Sequence, residues 1–164
     1  MRVLVAYMSR TGNTKKIAEA IYGEIGVEKD IMPFTEIADI GRYDLAFLGF
    51  PTHQYGPDKK TTEFLERTCT SSRKVALFVT HGAPETEPEV PQWMDKFKTA
   101  ASGAELVGFF DCQGQLSKGT KLIMKMMSKK TREEARRDNS QGQPDATRIE
   151  RAREFAKKVM SEHA

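Results

Sequence analysis

Five short runs of apolar and β-branched residues, separated by stretches of helical character, constrain the fold of this chain more than any other feature. The runs are residues 2–7, 27–32, 45–50, 75–80 and 105–111. Strands that alternate with helices typically form a parallel sheet, because each helix carries the chain back so that the next strand can run in the same direction. We therefore predict an α/β fold with a doubly wound five-stranded parallel sheet.

Helical periodicity fills the intervals between these runs. After the first run, Ile17, Ile21 and Ile25 recur every four residues, which places one apolar stripe along a helix that can pack on the sheet. Further helices are predicted at residues 61–67, at residues 90–99 and from a capping box that begins at Thr147. These segments supply the crossover connections that a parallel sheet requires.

Length and composition favour one domain over residues 1–164. With 38% hydrophobic and 30% charged residues, the chain can bury a core and keep a solvated exterior. No apolar run approaches the roughly 20 residues of a membrane-spanning helix. Cys69 and Cys112 lack the spacing of a redox or zinc motif. We therefore expect a cytoplasmic protein with reduced thiols and no membrane span.

A basic segment that contains several methionines interrupts the pattern at about residues 114–144, between the fifth strand and the last helix. Leu122, Ile123, Met126 and Met127 have helical spacing there. We predict a helix in the first half of this insertion and a mobile second half.

The positive charge of the chain is concentrated in this insertion. The formal net charge is +3, and residues 118–137 contain eight basic and two acidic residues, which leaves 18 basic and 21 acidic residues elsewhere. Such a segment is either a solvated face, the more common case, or a docking site for an acidic redox partner. The apolar stripe more often indicates core packing or contact with a partner than a cofactor site, and packing is the expectation here.

The sharpest functional signal is a polar turn between the first strand and the first helix. It consists of Ser9, Arg10, Thr11, Gly12, Asn13 and Thr14. The first N–H groups of a helix lack intrahelical acceptors, so with small hydroxyl side chains and the helix dipole they can hold a phosphate dianion. The alternative is a turn that only caps the helix. Neither Gly-x-x-x-x-Gly-Lys nor Gly-x-Gly-x-x-Gly occurs, so a single phosphate is the better expectation.

This turn resembles the first loop of the flavodoxin family, which reads (Ser/Thr)-x-Thr-Gly-x-Thr and binds the phosphate of FMN. The matching residues are Ser9, Thr11, Gly12, Asn13 and Thr14. The resemblance covers most of the chain outside the insertion. It implies a flavodoxin-like fold with strand order 2-1-3-4-5, FMN as cofactor, and a ligand site beyond the carboxyl ends of the strands.

The resemblance requires two further loops to meet the flavin. The first contributes Pro51, Thr52, His53, Gln54, Tyr55 and Gly56, and the second contributes Thr80, His81, Gly82, Ala83 and Pro84. A flavin ring needs apolar or aromatic faces and backbone donors along its polar edge. Tyr55 and His53 are the predicted ring neighbours, and Gly82 and Ala83 the predicted donors towards negatively charged reduced flavin.

Simpler interpretations stay open for some of these residues. His53 and His81 are each either flavin neighbours or hydrogen-bond partners within their own loops. Cys112 follows the fifth strand and either touches the flavin or, more commonly for a cysteine, is a small buried apolar group. No metal site is expected, since no third ligand accompanies the two histidines at ligand spacing.

The sequence departs from the family's pattern in three respects. Electron-carrying flavodoxins are usually strongly acidic, whereas this chain is net basic. Pro57 follows Gly56, so the next peptide has no N–H to offer the oxidised ring if that turn faces it. Residues 80–89 contain no aromatic side chain other than His81, so one face of the flavin is expected to be open.

These features lead to one main hypothesis and two alternatives. The main hypothesis is an FMN protein that carries electrons between redox partners, without a catalytic side chain, because the flavin supplies the chemistry. An open flavin face also suits an FMN-dependent reductase that passes hydride from NADH or NADPH to a quinone or another small acceptor. The least favoured alternative is a flavin-free module that uses its basic segment to bind nucleic acid or a protein.

Overall fold

The computed structural model describes residues 1–37, 39–70 and 73–163, and its strands and helices alternate along the chain. Its strands are β1 (Arg2–Tyr7), β2 (Glu28–Pro33), β3 (Leu45–Pro51), β4 (Lys74–His81) and β5 (Glu105–Gln113). Its α-helices are α1 (Asn13–Glu24), α2 (Lys59–Thr68), α3 (Val90–Ala100), α4 (Lys118–Met126), α5 (Lys129–Arg136) and α6 (Ala146–His163), and Phe34–Glu36 form a 3₁₀ turn.

The strands form one parallel sheet in the order β2-β1-β3-β4-β5, which confirms the predicted fold class and strand order. The sheet reverses its direction of growth between β1 and β3. In sheets of this kind the crossover helices leave from opposite faces at that point and open a crevice at the carboxyl ends of the strands. The topology therefore directs attention to the loops after β1, β3 and β4.

The central strands are apolar throughout because both of their faces are covered. Leu4 and Ala6 face a core completed by α2 and α3, whereas Val3 and Val5 face a core completed by α1 and α6. Strand β2 lies at an edge, and its residues are only half-buried or exposed. Continuous burial of both faces explains why β1, β3 and β4 were recognisable as unbroken apolar runs.

The last helix begins earlier than the sequence predicted. The backbone N–H of Arg148 donates to the carboxylate of Asp145 at 3.0 Å, so Asp145 caps α6 and the predicted capping box at Thr147 is wrong. Asp is a stronger N-cap residue than Thr because its carboxylate also interacts favourably with the helix dipole. The hydrogen bond from Arg148 lowers the pKa of Asp145.

The insertion between β5 and α6 contains α4 in its first half, as predicted, and also α5, which lies mainly in the second half, where no helix was predicted. Ser117 and Ser128 cap α4 and α5, respectively, through hydrogen bonds from backbone N–H groups. Beyond α5, the buried Ser140 accepts a hydrogen bond from the N–H of Leu116 at 2.9 Å. A serine at the start of each helix accepts a backbone N–H, and this capping stabilises the two short helices.

In the described ranges, no helix combines the length and the apolar character that crossing a bilayer demands.

A matched pair of glycine substitutions tests the packing between β3 and β4. A Cβ at Gly49 would overlap the ring of Phe78, whereas a Cβ at Gly23 in α1 meets no atom within 4 Å. We expect Gly49→Ala to lower the free energy of unfolding by about 1–3 kcal/mol through overpacking. Gly23→Ala should leave it unchanged or raise it by up to about 1 kcal/mol, because alanine favours the helix. Urea denaturation measures both, and equal effects would contradict the packing described for Gly49.

Candidate functional site

Three loops meet at the carboxyl edge of the sheet. They are the 9–14 turn after β1, the 52–58 loop after β3 and the 82–89 loop after β4. Backbone hydrogen bonds fix the strand ends from which they leave, since Met8 donates to Gly49 at 2.9 Å and Thr52 donates to Thr80 at 2.8 Å. The sequence-predicted residues therefore lie at one edge, on neighbouring strands.

The 9–14 turn presents unpaired backbone donors. Gly12 adopts φ +90°, a conformation that favours glycine, and its N–H donates to Ser9 Oγ at 3.1 Å. The first intrahelical bond runs from Lys16 to the carbonyl of Gly12 at 3.0 Å. Among the residues that the structure describes, the N–H groups of Asn13, Thr14 and Lys15 have no acceptor. This arrangement suits an oxyanion at the start of α1.

Side-chain contacts hold this turn against its neighbours. The buried hydroxyls of Thr14 and Thr80 lie 2.8 Å apart and share a hydrogen bond. The Asn13 amide donates to Thr11 Oγ1 at 3.1 Å and to the carbonyl of Gln115 at 3.0 Å. A Cβ at Gly114 would lie only 2.7 Å from the Asn13 amide nitrogen, so glycine permits this close approach. The start of the insertion thus packs against the turn and stabilises it.

Arg10 links the 9–14 turn to the 52–58 loop. Its guanidinium donates to the Asp58 carboxylate at 2.9 Å and to Nδ1 of His53 at 3.3 Å. Asp58 also caps α2 by accepting from the N–H of Thr61 at 2.8 Å. Burial alone would raise the pKa of Asp58, but the hydrogen bonds from Thr61 and the charge of Arg10 outweigh it and hold the pKa below its usual value.

Tyr55 points towards the helices beside the 52–58 loop. Its ring lies 5.0 Å from the Trp93 ring, and its hydroxyl donates to Glu134 of α5 at 3.0 Å. Burial, assisted by the hydrogen bond to Glu134, raises the pKa of the Tyr55 hydroxyl. Gln54 and Tyr55 have φ of 45° and 72°, and the carbonyl of Gly56 accepts from the N–H of His53 at 2.7 Å. His53, Gln54 and Tyr55 are all exposed, and Tyr55 in addition contacts α3 and α5.

The His81 and Cys112 side chains lie inside the protein, beneath the 82–89 loop. Nδ1 of His81 is 2.9 Å from the carbonyl oxygen of Ala83, and its Nε2 is 3.2 Å from the Asp111 carboxylate. His81 is therefore a hydrogen-bond partner of its own loop, one of its two expected roles. Cys112 is fully buried, and burial raises the pKa of its thiol to about 12. Neither side chain presents surface to a ligand.

The 82–89 loop itself offers backbone donors. The carbonyl of Gly82 accepts from the Gln113 amide at 3.2 Å, and the carbonyl of Ala83 faces His81. Within the described part of the chain, the N–H groups of Gly82 and Ala83 have no acceptor. Leu116 covers Gly82 so closely that a Cβ there would overlap it. These contacts orient the loop while leaving its donors free.

Several contributing residues were missed by sequence reasoning. They are Asp58, Trp93, Gln113, Gly114, Gln115, Leu116 and Glu134. Asp58 carried a readable signal, because an acidic residue just before a helix is a common N-cap. The others reach the site only through tertiary contacts, so their local sequence gave no signal.

Two further features of the structure bear on where a ligand could bind. A cavity of about 450 Å³ lies at the opposite, amino edge of the sheet, where its lining includes Tyr43, Arg73 and Lys74. In open parallel sheets, ligands bind at the carboxyl edge instead. The described residues contain no group of three or more His, Cys, Asp or Glu that could hold a metal ion.

Comparison with known proteins identifies a family match and several similar proteins. The family model of the flavodoxin domain matches residues 4–157. The flavodoxin-like domain-containing protein BilS of Clostridioides difficile is 38% identical over 98% of this chain and 97% of its own length. Oxidised flavodoxin 2 from Bacillus cereus is 21% identical, covers 99% of each chain and has a TM-score of 0.65. A flavoprotein from Lactobacillus acidophilus, solved in complex with FMN, is 20% identical over 67% of this chain and 92% of that one, with a TM-score of 0.55.

The contact between Arg10 and Asp58 predicts a pH-dependent stability. A carboxyl whose folded pKa is lowered stabilises the fold above its unfolded pKa, and this stability is lost as the pH falls through the folded value. We expect Asp58→Asn to unfold more readily at neutral pH, because Asn still caps α2 but cannot pair with Arg10. The difference from the wild type should shrink as the pH falls below 3.8, the usual Asp value.

Urea denaturation at a series of pH values measures this difference. Glu66→Gln removes one negative charge from the exposed surface of the same helix and controls for the change in net charge. A destabilisation by Asp58→Asn that persists unchanged in acid would show that the ion pair with Arg10 is not its cause.

Proposed function

This chain is a member of the flavodoxin domain family, and from that membership we propose that it binds FMN between its three carboxyl-edge loops and transfers electrons between redox partners. The observation that carries the proposal is the set of unpaired N–H groups on Asn13, Thr14 and Lys15 at the start of α1. The bound FMN of the Lactobacillus acidophilus flavoprotein, which has the same fold, supports the choice of cofactor.

The 9–14 turn fits the phosphate of FMN. Its donors converge at the positive end of the dipole of α1, where an anion is stabilised. The exposed Thr11 hydroxyl adds a polar group to the same turn, and the guanidinium of Arg10 is paired with Asp58 of the neighbouring loop. Gly12 leaves open space, since no atom lies within 4 Å of a Cβ built on it. A bulky anion can therefore approach the backbone at this point.

The 52–58 and 82–89 loops would hold the ring of the cofactor. The FMN ring, when bound, supplies reversible electron uptake, so the protein needs no side chain that acts as acid or base. The N–H groups of Gly82 and Ala83 would donate to the polar edge of the ring and favour its negatively charged form. His81 and Gln113 are positioning residues in this scheme, because they hold the carbonyls of the same two residues.

One observation favours a second candidate function, an FMN-dependent reductase that takes hydride from NADH or NADPH. In residues 80–89 the only aromatic side chain is that of His81, which is buried, and Tyr55 is tied to Trp93 and Glu134. In the described structure, neither loop therefore offers an aromatic ring that is free to stack on the flavin. An uncovered ring face would accept a nicotinamide or a small acceptor.

A charge substitution tests the phosphate contact. We expect Thr11→Glu to weaken FMN binding about tenfold or more, which corresponds to roughly 1.4 kcal/mol, because the new carboxylate repels the phosphate. The same change at Thr99, exposed near the carboxyl end of α3, should leave the affinity unaltered. Quenching of FMN fluorescence measures the dissociation constants. Riboflavin, which lacks the phosphate, should bind both variants as it binds the wild type; equal loss of riboflavin affinity in Thr11→Glu would point to a damaged turn rather than to charge repulsion.

Steady-state kinetics separate the two candidate functions. We expect the FMN-loaded protein alone to oxidise NADPH or NADH slowly in the presence of a quinone, because an electron carrier relies on a partner enzyme. Addition of a flavin-containing NADPH reductase should start rapid electron flow to the chain. Rapid oxidation of the nicotinamide without a second protein would instead establish the reductase.

A further inference from the structure

Helix α4 exposes an apolar face that the fold does not cover. Leu122 is 62% exposed, Ile123 61%, Met126 81% and Met127 47%, and none of the residues of α4 is buried. The sequence favoured core packing for this stripe, and the structure corrects that expectation. We refer to these four side chains as the α4 face.

The α4 face needs an explanation because most helical stability in proteins comes from burying an apolar stripe. Neighbouring α5 has a covered face, with Thr131 and Ala135 buried, whereas α4 has none. The α4 face instead concentrates four of the large apolar side chains that the described residues expose. Contiguous exposed apolar groups rimmed by polar residues commonly mark a binding surface. Methionine is also well suited to contact, since its flexible side chain adapts to different surfaces.

Positive charge surrounds the α4 face. Lys121 pairs with Asp138, and Lys130 pairs with Glu89 at 2.8 Å. In the part of the chain that the structure describes, Lys118, Lys125 and Lys129 are exposed and form no ion pair. Uncompensated charge of one sign around an apolar centre selects a partner with the opposite charge.

The α4 face stands next to the proposed cofactor site. The carbonyl of Gln115 accepts from Asn13 in the 9–14 turn, and α4 starts shortly afterwards at its Ser117 cap. A rise of about 1.5 Å per helical residue places Leu122 within roughly 10 Å of that cap along the helix axis. The following α5 reaches the 52–58 loop through Glu134 and Tyr55. A molecule on the α4 face would therefore lie beside the loops proposed to hold the flavin.

We propose that the α4 face docks an electron-transfer protein whose contact surface is apolar at its centre and acidic at its rim. This proposal rests on the proposed function, because it identifies the partner of the same flavin site. The apolar centre supplies affinity through burial, and the unpaired lysines steer the acidic partner into register. The partner's cofactor would then face the carboxyl edge of the sheet.

Two other occupants fit the same observations less well. A second copy of this chain would bring the unpaired Lys118, Lys125 and Lys129 of both copies together around a two-fold axis, where like charges repel. A membrane surface would accept a basic amphipathic helix. It gives no reason, however, for the connections of this helix pair to the 9–14 turn and the 52–58 loop.

A plant-type [2Fe–2S] ferredoxin serves as the acidic redox probe, and cytochrome c as a basic one. Isothermal titration calorimetry measures binding of the oxidised ferredoxin to the FMN-loaded protein, and stopped-flow absorbance measures flavin reduction by reduced ferredoxin. The variants are Leu122→Gln with Met126→Gln, and separately Lys125→Glu, all at exposed positions. Lys158→Glu, a matched charge reversal at an exposed position of α6, is the control.

We expect the wild type and Lys158→Glu to bind ferredoxin with equal, salt-sensitive affinity and not to bind cytochrome c. Both α4 variants should bind ferredoxin about tenfold more weakly or worse and accept its electrons correspondingly more slowly. Their FMN affinity should equal that of the wild type. If the wild type did not bind FMN at all, the proposed function itself would be refuted.

The other outcomes overturn the docking proposal while leaving FMN binding intact. They are absence of ferredoxin binding by the wild type, or binding that the α4 variants do not weaken. Sedimentation equilibrium that shows a dimer dispersed by Leu122→Gln with Met126→Gln would assign the α4 face to self-association. Co-sedimentation with phosphatidylcholine–phosphatidylserine vesicles that the same variant abolishes would assign it to a lipid surface.

Discussion

The parallel pairing of β1 with β3 and of β3 with β4 is the constraint on which the candidate site depends. Because these strands are covered on both faces, their side chains are committed to the two cores, and only the loops at their ends are free to vary. Parallel direction brings three such loops to one edge. The hydroxyl pair of Thr14 and Thr80 then joins the first turn of α1 to the end of β4 inside the protein.

The fold was predictable from the sequence to the extent that burial leaves a local signature. The central strands appear as unbroken apolar runs, and the polar 9–14 turn was recognisable as the entry to α1. The predicted bounds of the strands differ from the observed ones by at most two residues, in the central strands as well as in the half-exposed β2, because local patterns define strand ends poorly. The orientation of Tyr55 was not readable, since it depends on Trp93 and Glu134, which are distant in sequence.

The two ends of the insertion and its helices contact the rest of the protein differently. Its first residues hold the 9–14 turn and cover Gly82, while Gln113 bonds to Asn139 at 2.7 Å and so fastens the far end of the segment to β5. Its helices, by contrast, contribute little to either core and leave their apolar stripe outside. A segment can therefore be fixed at both ends to the candidate site and still present a face that the fold itself does not bury.

The ion pair of Arg10 with Asp58 would affect how the 9–14 turn recognises the proposed anion. A free guanidinium would attract any small anion from the solvent, and the affinity of the turn for that anion would fall steeply as the ionic strength rises. Here the Asp58 carboxylate already compensates the charge of Arg10, so a bound anion would depend mainly on the unpaired backbone N–H groups at the start of α1. If the turn holds the phosphate of FMN as proposed, a ligand that also engages the neighbouring loops would gain contacts that phosphate or sulfate alone lacks.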